Sequence, residues 1–338
     1  YLLQLPGSRV SHIMGSYRYE ILRETTTDSL IMENNTREKK MNSNVYGIDL
    51  GTCNMKIYCK TSNKILNEKN TIALVKKDQI YAYGDAAYAM YEKAPETINV
   101  TFPVISGVIA DFNNLQTMLQ MYLEEHMKGK IRGAEFIVAV PTDITDVEKR
   151  AFFEMFYKSK LKPKSVLLCE KPIADAVGLG LDVNEPTGIM VVDIGADTTE
   201  ISVISLGGLV LSDLLHFGGN RIDESIITYV KRTYNLVIGQ KTAQALKEKL
   251  GSGIPGNTET MVIVGRDVVS GLPIEMEITG EVVYEAIKDN LNSICNSIKM
   301  ILEKTPPELA ADVADRGIVL TGGGALLEAI EGKVLPGI

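Results

Sequence analysis

From Val45 onward the apolar positions follow two different periods, and the switches between them mark out a mixed α/β chain. Short runs such as Glu135-Phe-Ile-Val-Ala-Val-Pro141 and Ser165-Val-Leu-Leu-Cys169 have the length and composition of buried strands. Other stretches repeat apolar residues at helical spacing. Ile222, Ile226, Ile227 and Val230 make one such face. Val283, Ala286, Ile287, Leu291, Ile294, Ile298 and Ile301 make a longer one between Glu281 and Leu302. Pro306-Pro307 cannot continue that helix. Lys241 to Leu250 reads as a short helix. Pro172 to Leu181 reads as a helix whose small residues, Ala174, Ala176, Gly178 and Gly180, suit close packing at a domain junction. Thr142-Asp143 are placed to open a helix, with Asp146 and Glu148 in its early part, where anions suit the dipole. Residues 251–280, with Gly251, Gly253, Pro255 and Gly256, read as loop and short strands.

Three glycine-rich turns interrupt this pattern, each after an apolar run. They are Val45-Tyr-Gly-Ile-Asp-Leu-Gly-Thr-Cys-Asn54, Met190-Val-Val-Asp-Ile-Gly-Ala-Asp-Thr-Thr-Glu200 and Ile318-Val-Leu-Thr-Gly-Gly-Gly-Ala325. In the first two, a strand carries an Asp (Asp49, Asp193), then a Gly two residues on, then a small polar stretch, and the chain becomes strand again. Each is therefore the tip of a hairpin, which excludes Rossmann and P-loop architectures, whose turns open helices. Backbone N–H groups in a tight Gly turn form a nest for anions. Thr52, Asn54, Thr198 and Thr199 add side-chain donors. Asp49 and Asp193 would repel phosphate directly, and make sense if Mg²⁺ with its waters stands between. A helix is expected to start at Ala325 after the third turn.

Composition narrows the picture. A chain of 338 residues with 45% hydrophobic and 23% charged residues can bury more than one core. A net charge of −8 argues against a general nucleic-acid surface, so no nucleic-acid partner is expected. No apolar run reaches the length of a membrane span. The four cysteines form no C-x-x-C pair and read as reduced thiols of a cytoplasmic protein. Residues 1–44 are polar and without sustained period, and read as a flexible N-terminal extension, with Met41 as a natural start. Asn184-Glu-Pro-Thr-Gly188 is a polar break just before the second turn, where the opening logic of the chain begins again.

With two hairpin turns of this kind, a repeated half and a final Gly-Gly-Gly, the chain resembles the actin, heat-shock chaperone and sugar-kinase superfamily, and within it the MreB family of bacterial actins. The resemblance rests on Gly47-Ile-Asp-Leu-Gly-Thr52, Gly107-Val-Ile-Ala-Asp111 and Val191-Val-Asp-Ile-Gly195. Most diagnostic is Leu302-Glu-Lys-Thr-Pro-Pro-Glu-Leu309 running into Asp315-Arg-Gly-Ile-Val-Leu-Thr-Gly-Gly-Gly-Ala325. It implies an actin-like ATPase fold: two RNase H-like domains flanking a nucleotide cleft, with smaller inserted subdomains. Domain I would cover 45–185 with an insert at about 65–109. Domain II would cover 186–338 with an insert at about 225–280, its C-terminal end truncated. The resemblance also implies ATP and Mg²⁺ as ligands, and polymerisation with further copies into filaments on the cytoplasmic face of the membrane. Those filaments would work with the cell-wall synthesis machinery to direct cell shape. The matched nucleotide residues are Gly51, Thr52, Cys53 and Asn54, then Gly195, Ala196, Asp197 and Thr198, then Gly219, Gln244 and Lys247, and finally Gly322, Gly323, Gly324 and Ala325. The metal would fall to Asp49 and Asp193, and catalysis to the positions of Glu170, Lys171 and Thr198.

Departures from the family concentrate at that centre. Glu170-Lys171-Pro172 stands where relatives carry Glu-Glu-Pro, so a lysine occupies the place of the residue that positions the attacking water. Asp197 stands in a turn that is usually Gly-Gly-Gly-Thr, and a Lys171–Asp197 charge pair with slow hydrolysis is the expectation. Otherwise Lys171 faces solvent and Glu170 takes the catalytic place. Gln244 replaces a ribose-binding Glu, and Ser106 replaces an Asp. Lys128-Gly-Lys-Ile-Arg132 replaces an apolar membrane loop with a basic one. Two other functions fit the text less closely: a non-hydrolysing scaffold that co-polymerises with another bacterial actin, and a sugar-kinase-like enzyme, for which no carboxylate base is placed.

Overall fold

Strict alternation of burial builds the first sheet. The computed structural model describes residues 44–76, 79–127 and 131–334. The N-terminal extension up to residue 43, the basic-loop residues Lys128 and Lys130, and the last four residues lie outside the described residues. Strands β1 (Val45–Leu50) and β2 (Asn54–Cys59) each bury every second side chain, among them Tyr46, Ile48, Leu50, Met55 and Ile57. They pair antiparallel about the first glycine turn, and β3 (Lys64–Lys69) continues the meander. An added unit follows: β4 (Ile72–Val75), β5 (Gln79–Tyr83), helix α1 (Gly84–Met90), β6 (Ile98–Thr101), and the short pair β7 (Val104–Ile105) and β8 (Val108–Ile109). Because β3 belongs to the main sheet, the insert begins at β4 rather than near residue 65. Asn44, assigned to the extension, is buried and accepts a hydrogen bond from Thr61.

Helix α2 (Phe112–His126), β9 (Glu135–Val140), helix α3 (Asp146–Tyr157), β10 (Ser165–Glu170) and helix α4 (Lys171–Gly178) complete this half. The sheet order is β10-β9-β1-β2-β3, with β9 parallel to both neighbours. Leu115, Met118 and Leu119 of α2 and Phe152 and Phe156 of α3 close its core. Helix α3 starts at Asp146, later than the expected Thr142. Thr145 and Glu148 form a reciprocal capping box, which satisfies two N-terminal donors at once and outcompetes Asp143.

The second half repeats the plan. Strands β11 (Ile189–Ile194), β12 (Thr199–Ser205) and β13 (Gly208–Leu215) form the meander. Helix α5 (Gly219–Tyr234), β14 (Leu236–Val237), helix α6 (Gln240–Leu250), β15 (Thr260–Asp267) and β16 (Pro273–Thr279) follow. Helices α7 (Gly280–Lys304) and α8 (Pro307–Arg316), strand β17 (Ile318–Thr321) and helix α9 (Ile330–Val334) end the described chain. The order β13-β12-β11-β17, with β17 parallel to β11, copies the first sheet's β3-β2-β1-β9. Strands β14–β16 form a separate sheet; residues 260–279, which fall in the stretch expected to be loop and short strands, are a hairpin of strands eight and seven residues long. The third turn holds a single 3-10 turn, Gly323–Leu326, not the expected start of an α-helix.

All of β11 is buried, which requires cover on both faces. Helix α7 and its neighbours cover one side. The other side is covered by α4: Ile173 and Ala176 pack against Ile189, Val191 and Ile204. A helix that continues directly from a strand of the first sheet thus packs on the second sheet. This junction carries Lys171 into the space between the two halves.

Candidate functional site

The two sheets present matching strand ends to one cleft of about 1630 Å³, larger than an ordinary small-ligand pocket. Its lining includes Gly51, Thr52, Cys53 and Asn54 from the β1–β2 turn, Gly195, Ala196, Asp197 and Thr198 from the β11–β12 turn, and Gly322, Gly323 and Gly324 after β17. Gly219, Gln244 and Lys247 line it as well. The Gly195 N–H donates to the Thr198 carbonyl at 2.8 Å and closes the second turn. Gly322 has a φ of 82°, and any Cβ there would run into Asp193 and the Ile194 carbonyl. Only glycine lets β17 leave the sheet so close to the second turn. Three expected residues stand apart: Glu170, Ala325 and Thr199 do not line the cleft, and the buried Thr199 hydroxyl donates instead to the Phe217 carbonyl at 2.9 Å.

Lys171 does line it, while its neighbour Glu170 ends β10 and points elsewhere, as adjacent side chains on extended backbone do. The alternative with a solvent-facing Lys171 and a catalytic Glu170 is therefore corrected. So is the Lys171–Asp197 pair. The Lys171 ammonium forms its ion pair with Asp193, which is 5% exposed. Asp197 instead accepts from the Ser106 N–H at 2.8 Å and from Asn220 Nδ2 at 2.7 Å. Two neutral donors hold it, and Ser106 thereby ties the first half to the second turn. Burial works against the Lys171 ammonium, but the carboxylates of Asp193, Asp49 and Asp175 outweigh it and hold its pKa above the usual lysine value. At neutral pH this lysine is fully charged and cannot accept a proton.

Asp49 closes on Lys56, its cross-strand partner in the hairpin, at 2.7 Å. Burial alone would raise the Asp49 pKa, but Lys56 and then Lys171 reverse that and lower it. Asp175, one helical turn beyond Lys171 on α4, buries Oδ2 without a hydrogen-bond partner. Burial, and then the Asp193 carboxylate, push its pKa well above the usual range. Glu200 is also raised by burial, although it accepts from the Thr142 N–H at 2.8 Å.

The expected Mg²⁺ does not fit these residues. Asp193 and Asp49 each already hold an ammonium group, at Lys171 and Lys56. An ion ligated by the carboxylate that holds Lys171 would stand about 4 Å from that ammonium. At an effective dielectric constant of about 20, charges of +2 and +1 at that separation repel by ~8 kcal/mol. Of the two carboxylates that would attract the ion, Asp193 is already paired with Lys171 and Asp49 with Lys56.

A nucleotide does fit. The glycine turns of both halves face one another across the cleft, and Lys69 reaches Asn54 Oδ1 at 3.3 Å beside the first turn. On the far wall Lys247 pairs with the buried Asp223 at 2.8 Å and donates to the Gly219 carbonyl at 3.0 Å. Gln244 accepts from the Tyr88 hydroxyl at 2.7 Å, so the position expected to contact ribose also joins α1 to α6.

Several residues of the cleft escape a reading of the sequence. Lys56 was legible in principle, since Asp49 and Lys56 sit symmetrically about the first turn. Asp175 was legible as the i+4 neighbour of Lys171. Tyr88, Asn220 and Asp223 carry no local signal, because each meets its partner through tertiary structure; Glu200 closes the second motif, but nothing local pairs it with Thr142.

With this geometry in place, comparison with known proteins is specific. The profile of the family described as MreB/Mbl protein matches residues 43–335. The chain is 40% identical over 288 residues to the cell shape-determining protein Mbl of Bacillus cereus, covering 84% of this chain and 86% of the relative. It is 40% identical over 300 residues to the cell shape-determining protein MreB of Escherichia coli strain K12, covering 86% of each. Among solved structures, MreB 5 of Spiroplasma citri bound to AMPPNP superposes with a TM-score of 0.81 at 33% identity, covering 85% of this chain and 86% of that one.

Proposed function

The chain belongs to the MreB/Mbl family and has its actin-like ATPase fold, and from that premise we propose that it binds ATP in the cleft, polymerises into cytoskeletal filaments and hydrolyses its nucleotide slowly. The single observation that carries the reading is the Lys171 ammonium, set between the two glycine turns where the family resemblance places a water-positioning carboxylate. The glycine turns support phosphate binding, and the AMPPNP held by the Spiroplasma citri relative supports a nucleotide at this place. The names of the relatives support a role in cell shape. Directing cell-wall synthesis from the cytoplasmic face of the membrane is part of the same proposal. The basic residues Lys128, Lys130 and Arg132 favour anionic lipid by about 1 kcal/mol each near the surface. No helix among the described residues is long and apolar enough to cross a membrane.

Slow hydrolysis follows from general-base chemistry. Activating the attacking water needs a group that takes its proton, a contribution of about 10²–10⁴ in rate. A lysine held charged by three carboxylates cannot supply it. The same observation favours a second reading, in which the chain is a structural member of a mixed filament whose turnover is set by another subunit. Light scattering and phosphate release from purified chain with ATP test the proposal. Scattering that rises with ATP while phosphate release lags far behind is expected. No ATP-dependent scattering, alone or with a second bacterial actin, would remove the filament reading.

A further inference from the structure

We propose that the Lys171 ammonium takes the place of a divalent cation in this cleft, so that the site binds a nucleoside triphosphate free of metal. The inference rests on the nucleotide reading above and deepens it.

Three observations carry it. First, Lys171 is the opening residue of α4, the helix that leaves the first sheet and packs on the second, so its side chain is delivered to the middle of the cleft by the covalent path of the chain. Second, it engages Asp193 at the end of β11, the second half's counterpart of Asp49, and both Asp49 and Asp175 lie within its field. Third, Asp49 has its own ammonium partner in Lys56 across the hairpin. The two turn carboxylates, the natural ligands for an octahedral ion, are therefore both neutralised by this chain's own side chains.

A divalent ion at such a centre links carboxylates to phosphate oxygens and cancels their mutual repulsion. Lys171 and Lys56 supply the same two positive charges, spread over two points and permanently attached. An ammonium is a compact donor with three N–H groups, suited to contact carboxylate and phosphate together. A triphosphate entering between the glycine turns then meets its countercharge already in position.

Calorimetric titration of the full chain with ATP, in excess magnesium chloride and separately in excess EDTA, tests the inference. The Kd in the two buffers is expected to agree within about threefold. Lys171→Glu is expected to lose about tenfold or more of its affinity in EDTA and to recover it with magnesium. Lys171→Gln, which adds no carboxylate, is expected to weaken in both buffers. Native binding that collapses about tenfold or more in EDTA overturns the inference and leaves the nucleotide reading intact. No binding in either buffer overturns both.

Discussion

A buried carboxylate without a donor shows itself in its pKa, and Asp175 is the case in this cleft. Its folded value is raised by burial first and by Asp193 second, against the opposing pull of Lys171. A carboxyl group raised in this way contributes its full stability below the unfolded value of about 3.9 and loses it as pH climbs through the folded value. Asp175→Asn should therefore raise the melting temperature at pH 8 by about 2 °C or more. The gain should shrink as both proteins are melted at pH values falling towards 4. A variant that melts below the native chain at pH 8 would mean that the attraction to Lys171 wins. Lys247 makes the opposite case. Asp223 is 2% exposed, and Lys247 is its charged partner at 2.8 Å. Lys247→Met leaves that buried charge unpaired and should cost about 3–5 kcal/mol in denaturant unfolding. Asp223→Asn in the same chain should return much of it.

At the scale of elements, α1 and α6 form a clasp across the mouth of the cleft. Helix α6 has Gly239 at its N-cap and no side-chain cap of its own. Glu92, just past α1, supplies one from the other half, accepting from the Gln240 N–H at 2.9 Å and the Lys241 N–H at 3.3 Å. Lys241 answers by donating to the Tyr88 carbonyl at 2.6 Å. Glu92 itself sits at a φ of 61°, a left-handed conformation that glutamate adopts only when its surroundings demand it. A carboxylate at a helix N-terminus is worth about 0.3–1 kcal/mol, so Glu92→Ala should speed nucleotide release about two- to fivefold in stopped-flow displacement. The melting temperature should change little, because the contact joins two halves that have separate cores. An unchanged release rate would show that the clasp does not hold the closed cleft.

The clasp also shows where a sequence stops being informative. The β1–β2 and β11–β12 hairpins, the long helix α7 and the junction helix α4 were legible, because period and glycine placement survive in the text. The start of α3 was missed by a few residues because Thr142-Asp143 looks like a cap until the reciprocal Thr145–Glu148 bonds are seen. The pairing of Lys171 was assigned to Asp197 for want of direction. The residue type and its place in the turn are written in the sequence, but which carboxylate a helix start faces is decided by α4 crossing to the second sheet. Glu92 and Gln240, or Thr142 and Glu200, have no relation along the chain at all.

Across the whole molecule, the two halves hold separate apolar cores and meet mainly through polar links. Ser106 reaches Asp197, Thr142 reaches Glu200, and Lys171 reaches Asp193. Among the described residues, the apolar seam between them is α4 on β11 and β12. Such an arrangement lets a ligand in the cleft set how the halves sit, which is what coupling assembly to nucleotide requires. Lys171 lies at the centre of those links and at the position where hydrolysis would begin. The most direct test is single-turnover phosphate release from ATP by the native chain and by Lys171→Glu, in excess magnesium, with light scattering recorded on the same samples. Both proteins should assemble with ATP, and Lys171→Glu should release phosphate at least about tenfold faster. Equal rates of release from two proteins that assemble alike would contradict the claim that Lys171 restrains hydrolysis.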